Sequence, residues 1–202
     1  MAEHHTIAGL ILAGGRGARM GADKPFVELK GETLIARAIA RARPQADFLA
    51  ISASGEPARF APFGLPMIAD AMPDYAGPLA GILSGFEWAE RQRAGASWLA
   101  SFACDAPFFP LNLVARLSAA ARGADIALAE ANGQHHPVFA VWRIDLKDDL
   151  DAALHAGVRK IDDFIARHRS TRVRFDDEQR DPFFNINTPD DLAEAARILE
   201  SE

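Results

Sequence analysis

A short apolar run, Ile7-Ala8-Gly9-Leu10-Ile11, leads straight into Leu12-Ala13-Gly14-Gly15-Arg16-Gly17-Ala18-Arg19-Met20-Gly21-Ala22-Asp23-Lys24. The run has the length of one buried strand. Four glycines in the loop free the backbone to take positive φ and to approach a ligand without Cβ clashes. Successive main-chain N–H groups in such a turn point into one concavity, an anion cradle. Arg16, Arg19 and Lys24 add cationic side chains to it. A strand feeding a basic, glycine-rich loop is suited to holding polyphosphate; the alternative is a basic surface turn.

Two common phosphate motifs are excluded. A P-loop closes on Gly-Lys-Ser/Thr, whereas Gly21 is followed by Ala22-Asp23-Lys24-Pro25. The dinucleotide fingerprint G-x-G-x-x-G fails at Met20, where the third glycine belongs. The pattern present, L-A-G-G-x-G-x-R-M-G-x-D-K, resembles the nucleotidyltransferases of the glycosyltransferase-A-like type.

At 202 residues, 49% apolar and 25% charged, the chain reads as one soluble globular domain spanning 1–202. A net charge of −6 argues against a nucleic-acid partner, because such proteins need an excess of Lys and Arg. The basic loop is a local exception in an acidic molecule. The lone Cys104 precludes an intrachain disulfide. No secretory leader is expected before Thr6, and no apolar run approaches the roughly 20 residues of a membrane span, so a cytoplasmic protein without membrane contact is expected.

Beyond the loop, 26–32 reads as a short extended segment ending in a glycine turn, and Thr33 as the cap of a helix. Leu34, Ile35, Ala38, Ile39 and Ala42 line the core face of that helix, with Arg37 and Arg41 toward water. Strands are expected over 48–52, 67–69 and 97–103, with a helix over 77–93 between the last two. This alternation predicts an α/β fold: a three-layer, Rossmann-like, mostly parallel sheet with helices on both faces. In the second half a helix is expected over 111–121. Strands over 125–131 and 137–142 join through Asn132-Gly133, a hairpin signal. Helices follow over 146–154 and 158–168, then a strand over 171–175. Thr188-Pro189-Asp190-Asp191 opens the final helix.

Ligands of open α/β sheets sit beyond the carboxyl ends of the strands. That rule puts the glycine loop, Ser52, Asp70 and Asp105 on one rim. Asp105 can carry one Mg²⁺ on triphosphate oxygens, since Mg²⁺ keeps several waters and takes one or two carboxylates; a turn aspartate before Pro107 is the alternative. Asp70 can accept from ribose hydroxyls or cap a turn. Gly77-Pro78-Leu79-Ala80-Gly81 offers a flat backbone surface for a ring, or simply a tightly packed helix start. Asn185 and Asn187, two apart, point to the same side of an extended chain and can serve a ligand or tie down a turn. Arg159-Lys160 can meet a second anion or be merely exposed. Cys104 reads as a buried small side chain, His135-His136 as lacking the company of a zinc site, and Asp176, Asp177, Glu178 and Asp181 as a solvated acidic loop.

The ordered set L-A-G-G-x-x-x-R-M-G, I-x-D at 68–70, Y-x-G-P-L-A-G at 75–81, C-D-x-P at 104–107, H-P at 136–137 and N-x-N-T-P at 185–189 resembles the molybdenum cofactor guanylyltransferases almost end to end. The resemblance implies transfer of GMP from GTP to molybdopterin. It implies that Leu12, Ala13, Gly14, Lys24, Ser52, Asp70 and Asp105 hold GTP, with Gly15 beside them and Asp105 the Mg²⁺ ligand. The family often carries Asn where this chain has Ser52. Lys24, Asp105 and Arg16 become the catalytic groups. Arg19, Gly81, Arg159, Asn185 and Asn187 would face the pterin. Partners implied are GTP, molybdopterin and the maturation proteins that supply or accept the cofactor. Cytidylyl transfer to the same pterin and nucleotidyl transfer to a sugar phosphate are rivals on the same fold, and a non-catalytic GTP-binding or carrier protein is a rival of another class.

Overall fold

The computed structural model describes residues 6–14, 23–69, 77–92, 95–176 and 181–200. Its central sheet runs through strands β1 (Ile7–Leu12), β4 (Phe48–Ser52), β5 (Met67–Ile68), β6 (Trp98–Ala103), β7 (Ile126–Ala131), β8 (Gln134–Arg143) and β9 (Ser170–Arg174). Their order across the sheet is β5-β4-β1-β6-β8-β7-β9. β1 pairs in parallel with β4 and β6, β4 with β5, and β7 with β9; only β8 runs antiparallel to its neighbours β6 and β7. The expected mostly parallel sheet is therefore present. A separate two-stranded ribbon, β2 (Glu28–Leu29) with β3 (Glu32–Thr33), turns through Lys30 and Gly31, both at positive φ.

Side-chain alternation divides the strands between two cores. Ile11, Ile51, Phe102 and Val141 point to one face, covered by α1 (Leu34–Ala42), α3 (Leu113–Ala120) and α6 (Pro189–Glu200). Leu10, Ala50, Leu99 and Trp142 point to the other, covered by α2 (Pro78–Glu90), α4 (Lys147–His155) and α5 (Ile161–Ile165). In α1 the five expected core positions are all buried, and the Thr33 side chain accepts from the Ala36 N–H. α2 buries Leu79, Ile82, Leu83 and Phe86, and Gly85 lets it press against Leu10 and Leu99.

Several expectations need correction. Arg37 and Arg41 do not face water: both are half-buried, Arg37 donating to the Leu29 carbonyl and Arg41 to those of Phe108 and Phe109. Their long stems carry the guanidinium to carbonyls outside the helix, which a polar stripe read by periodicity does not reveal. The helix expected over 158–168 is one short turn, Ile161–Ile165. Positive φ at Gly157 ends α4, and Val158 to Lys160 runs outside any helix. β8 begins at Gln134 instead of 137, tied to β7 by the Asn132-Gly133 turn with both residues at positive φ. Pairing jumps from Leu128–Ala140 to Ala129–His136, so Pro137, Val138 and Phe139 bulge out where proline has no N–H to offer. Ser101 Oγ donates to the Val138 carbonyl at 2.6 Å.

Candidate active site at the carboxyl rim of the sheet

The strands that build the site end in one row. Ile68, Ser52, Leu12 and Ala103 are direct register partners across β5, β4, β1 and β6. Ladder bonds continue one step past the row: Ala13 N–H to the Ser52 carbonyl at 2.8 Å, Cys104 N–H to Leu12 at 3.2 Å, and Ala53 N–H to Ile68 at 3.1 Å. Whatever leaves these strands therefore leaves side by side: Ala13-Gly14 from β1, Ala53 from β4, Ala69 from β5 and Cys104-Asp105 from β6. Ser52 is buried in this row, and Gly14 is exposed beyond it.

Lys24 reaches the same place from the far side of the loop. It opens a 3₁₀ turn, Lys24–Phe26, anchored by buried Pro25 and by Phe26, whose ring lies 5.2 Å from that of Phe60. The Arg59 guanidinium covers Phe26 at 4.3 Å and pairs with Asp23. So braced, the Lys24 ammonium donates to Asp105 Oδ2 at 2.5 Å and to Asn187 Oδ1 at 2.6 Å. The Lys24 side chain is 17% exposed and that of Asp105 29%, so the pair faces a partly open site.

The Asp105 backbone has its own tie, its carbonyl accepting from Ile186 N–H at 2.8 Å. The loop behind it is gripped by Arg41, whose Nε donates to Phe109 O at 2.7 Å, and by Gln45, which donates to the Pro110 carbonyl at 3.1 Å. In the C-terminal segment Ile186 is fully buried while Asn185 and Asn187 are exposed, the alternation expected of an extended chain. Asp191 fixes that segment: its Oδ2 accepts from the N–H groups of Asn187 and Thr188, each at 2.8 Å. The Asn187 backbone bond in particular holds the Asp191 carboxyl below the usual carboxylate range. Thr188 Oγ1 accepts from Asp191 N–H in return, a capping box at the start of α6.

Of the anticipated site residues, the structure gathers Leu12, Ala13, Gly14, Lys24, Ser52, Asp105 and Asn187 along this rim. Gly15, Arg16, Arg19 and Asp70 lie outside the described residues. Gly81 is buried near the start of α2, and at Gly77, the residue that precedes this helix, the Arg159 carbonyl lies 3.6 Å from where a Cβ would stand. The Arg159 guanidinium donates to the carbonyls of Leu154 and Val158, both at 2.9 Å, closing the end of α4. Asn185 stands exposed beside Ile186. Sequence reading missed the Lys24–Asn187 bond, the brace of Arg41 and the role of Asp191; only the last left a local signal, T-x-x-D at 188–191.

Other expected features fall into structural roles. Cys104 is buried, and burial, with Asp105 beside it, pushes its thiol far up, which leaves it unreactive. Asp176 accepts from Asn132 N–H and so pins the hairpin turn instead of being merely solvated; Asp177 and Glu178 lie outside the described residues. His136 packs on the Phe183 ring at 4.6 Å, burial holding its imidazole below the ordinary value, and His135 meets Asp162. Among the described residues no group of three or more His, Cys, Asp or Glu could hold a metal ion. None of the helices in the described residues is long and apolar enough to cross a membrane.

Comparison with known proteins gives the family. Residues 9–172 match the family model of the MobA-like NTP transferase domain. A Rhodopseudomonas palustris (strain BisB5) protein named molybdenum cofactor guanylyltransferase is 48% identical over 98% of this chain and 96% of its own. The Archaeoglobus fulgidus molybdopterin-guanine dinucleotide biosynthesis protein A superposes with a TM-score of 0.80 at 25% identity, covering 96% of this chain and 100% of that one. A Mycobacterium tuberculosis protein solved as a complex with manganese shares the fold, with a TM-score of 0.68 at 17% identity over 95% of this chain and 98% of that one. With the family model matched over most of its length, this chain belongs to the MobA-like NTP transferase family.

Proposed function

We infer that this protein is a guanylyltransferase that transfers GMP from GTP to the terminal phosphate of molybdopterin and releases pyrophosphate, with residues 1–202 acting as one nucleotidyltransferase domain. The observation that carries the reading is the meeting of Lys24, Asp105 and Asn187 at the strand ends, in a chain whose near-full-length relatives bear that enzyme's name.

The chemistry asks little of the protein by way of a base. A phosphomonoester, with its second pKa about 6, is largely dianionic at neutral pH and is itself the nucleophile. Its oxygen bonds to the α-phosphorus of GTP as the bond to the β-phosphate oxygen breaks, and the electron pair leaves with pyrophosphate. The protein's part is alignment and charge neutralisation. The main chain at Leu12, Ala13, Gly14 and Gly15 cradles the triphosphate, and Lys24 and Arg16 offset the charge growing on the leaving group. Ser52 and Asp70 hold the nucleoside end. Arg19, Gly81, Arg159, Asn185 and Asn187 face the acceptor.

Asp105 is the residue to hold Mg²⁺. Its carboxylate, with an amide oxygen nearby, already balances one cation, the Lys24 ammonium, and a lone carboxylate suits an ion that keeps most of its waters. When bound, Mg²⁺ would supply positive charge against the phosphate oxygens. A cytoplasmic enzyme passing its dinucleotide product to molybdoenzyme-maturation proteins completes the reading.

The test is pyrophosphate release with Mg²⁺ and GTP, CTP or UTP, each offered molybdopterin or a sugar phosphate. Turnover with GTP and molybdopterin is expected. Equal turnover with CTP, turnover of a sugar phosphate, or stoichiometric GTP binding without product contradicts it.

A further inference from the structure

The Lys24 ammonium does something at Asp105 that the proposed reaction does not require of it. A lysine that only served phosphate would project freely into the site, yet Lys24 is held by two protein oxygens, Asp105 Oδ2 at 2.5 Å and Asn187 Oδ1 at 2.6 Å. Those contacts use the carboxylate assigned above to the metal. They are also contacts of close range and partial burial, the Lys24 side chain being 17% exposed, where opposite charges couple more strongly than in water. The main chain is tied at both ends: the Asp105 carbonyl accepts from Ile186 N–H, and Asn187 N–H donates to Asp191.

We propose that Lys24 is a displaceable counter-ion, anchored by Asn187, that keeps a free divalent cation off Asp105 until a triphosphate draws the ammonium away. This rests on the functional reading above. With Lys24 in place, the Lys24–Asp105 pair carries no net charge, and a divalent ion at the Asp105 oxygens would sit beside an ammonium of like sign. A triphosphate supplies several negative oxygens, a stronger partner for Lys24 than one carboxylate. As the ammonium moves to phosphate, Asp105 is released at the moment the nucleotide brings its own cation. Metal and nucleotide then bind as a pair, and Asn187 is a positioning residue for the nucleotide-side lysine as well as a neighbour of the acceptor.

Binding of Mn²⁺, followed by the loss of the free aquo-ion signal in electron paramagnetic resonance, tests this without turnover. In the absence of nucleotide the wild type is expected to bind Mn²⁺ weakly and Lys24→Met at least about tenfold more tightly. The gain should disappear in Lys24→Met/Asp105→Asn. Asn187→Ala, which keeps the lysine and loosens its anchor, should fall between wild type and Lys24→Met, and it serves as the independent variant if Lys24→Met folds poorly by circular dichroism. Adding GTP without acceptor should tighten Mn²⁺ binding in the wild type by more than tenfold, counted as Mn²⁺ retained with the protein after ultrafiltration so that Mn²⁺ held by free GTP is excluded. Equal nucleotide-free affinity in wild type and both variants, weak or strong, overturns the counter-ion proposal alone. Failure of GTP to recruit Mn²⁺ to the wild type overturns the functional reading beneath it.

Discussion

Lys24 and Asp105, 81 residues apart in the chain, meet at 2.5 Å where β1 and β6 end side by side. The pair joins the loop after the first strand to the turn after β6, and Asn187 extends it to the start of α6. Three separated segments thus share one ammonium.

Asp105→Asn keeps the shape of the side chain and removes its charge. We expect turnover to fall by about 10²–10³-fold or more, the scale of losing a main electrostatic contact. Stability should change by no more than about 1 kcal/mol, as for a partly exposed ion pair. Steady-state pyrophosphate release and urea unfolding check the two halves. Near-normal turnover in Asp105→Asn removes this carboxylate from the chemistry.

Acid should loosen the segment that carries Asn187. The Asp191 carboxyl is depressed in the folded protein by the N–H groups it accepts from, whereas in the unfolded chain it titrates near pH 3.9. The unfolded state therefore binds the proton first as pH falls, and the stabilisation, complete above about pH 4, is lost as pH drops through the folded value. Urea midpoints at pH 6 and pH 3 should converge between wild type and Asp191→Asn, the wild type losing more. A constant difference between the two across this range would contradict the assignment.

Gly85 is a site where one methyl group is too many. A Cβ there would stand 2.6 Å from Leu10 Cδ2 and 3.0 Å from Leu99 Cδ2, both in the core beneath α2. Gly85→Ala gains helix propensity, but overpacking should win and cost about 1–3 kcal/mol. Denaturant unfolding showing a more stable Gly85→Ala would mean that the two leucines repack freely.

Arg41 clamps the loop behind Asp105 through the carbonyls of Phe108 and Phe109 and packs 5.9 Å from the Phe109 ring. Arg41→Ala should destabilise by about 1–3 kcal/mol, since it leaves those acceptors in buried surroundings. Arg41→Lys should recover only part, because an ammonium lacks the planar fork. Full recovery by lysine would show that charge alone matters.

The parts legible in the sequence are those governed by local pattern. α1 with its Thr33 cap, the strands 48–52 and 98–103, and the Asn132-Gly133 turn follow from periodicity and turn chemistry within a few residues. The rim itself is legible because parallel strands end together, which predicts Asp105 on the same rim as the glycine loop. What was hidden depends on distant partners. Arg41 reads as water-facing until Phe109, 68 residues away, supplies a carbonyl. Asn187 reads as an acceptor-side amide until Lys24, 163 residues away, donates to it. The bulge at Pro137 to Phe139 is set by pairing with β7, which the alternation within 137–142 does not encode.

In the proposed enzyme a triphosphate sits against the glycine-rich loop with its cation on Asp105. A crystal structure of the protein with GTP and Mn²⁺ tests it directly, by the anomalous signal of the metal. The manganese peak is expected bonded to an Asp105 carboxylate oxygen, with phosphate oxygens and waters making up the rest of its shell, and the Lys24 ammonium moved from Asp105 onto phosphate. A nucleotide bound away from residues 12–14, or a manganese peak on other carboxylates with Lys24 still on Asp105, would contradict it.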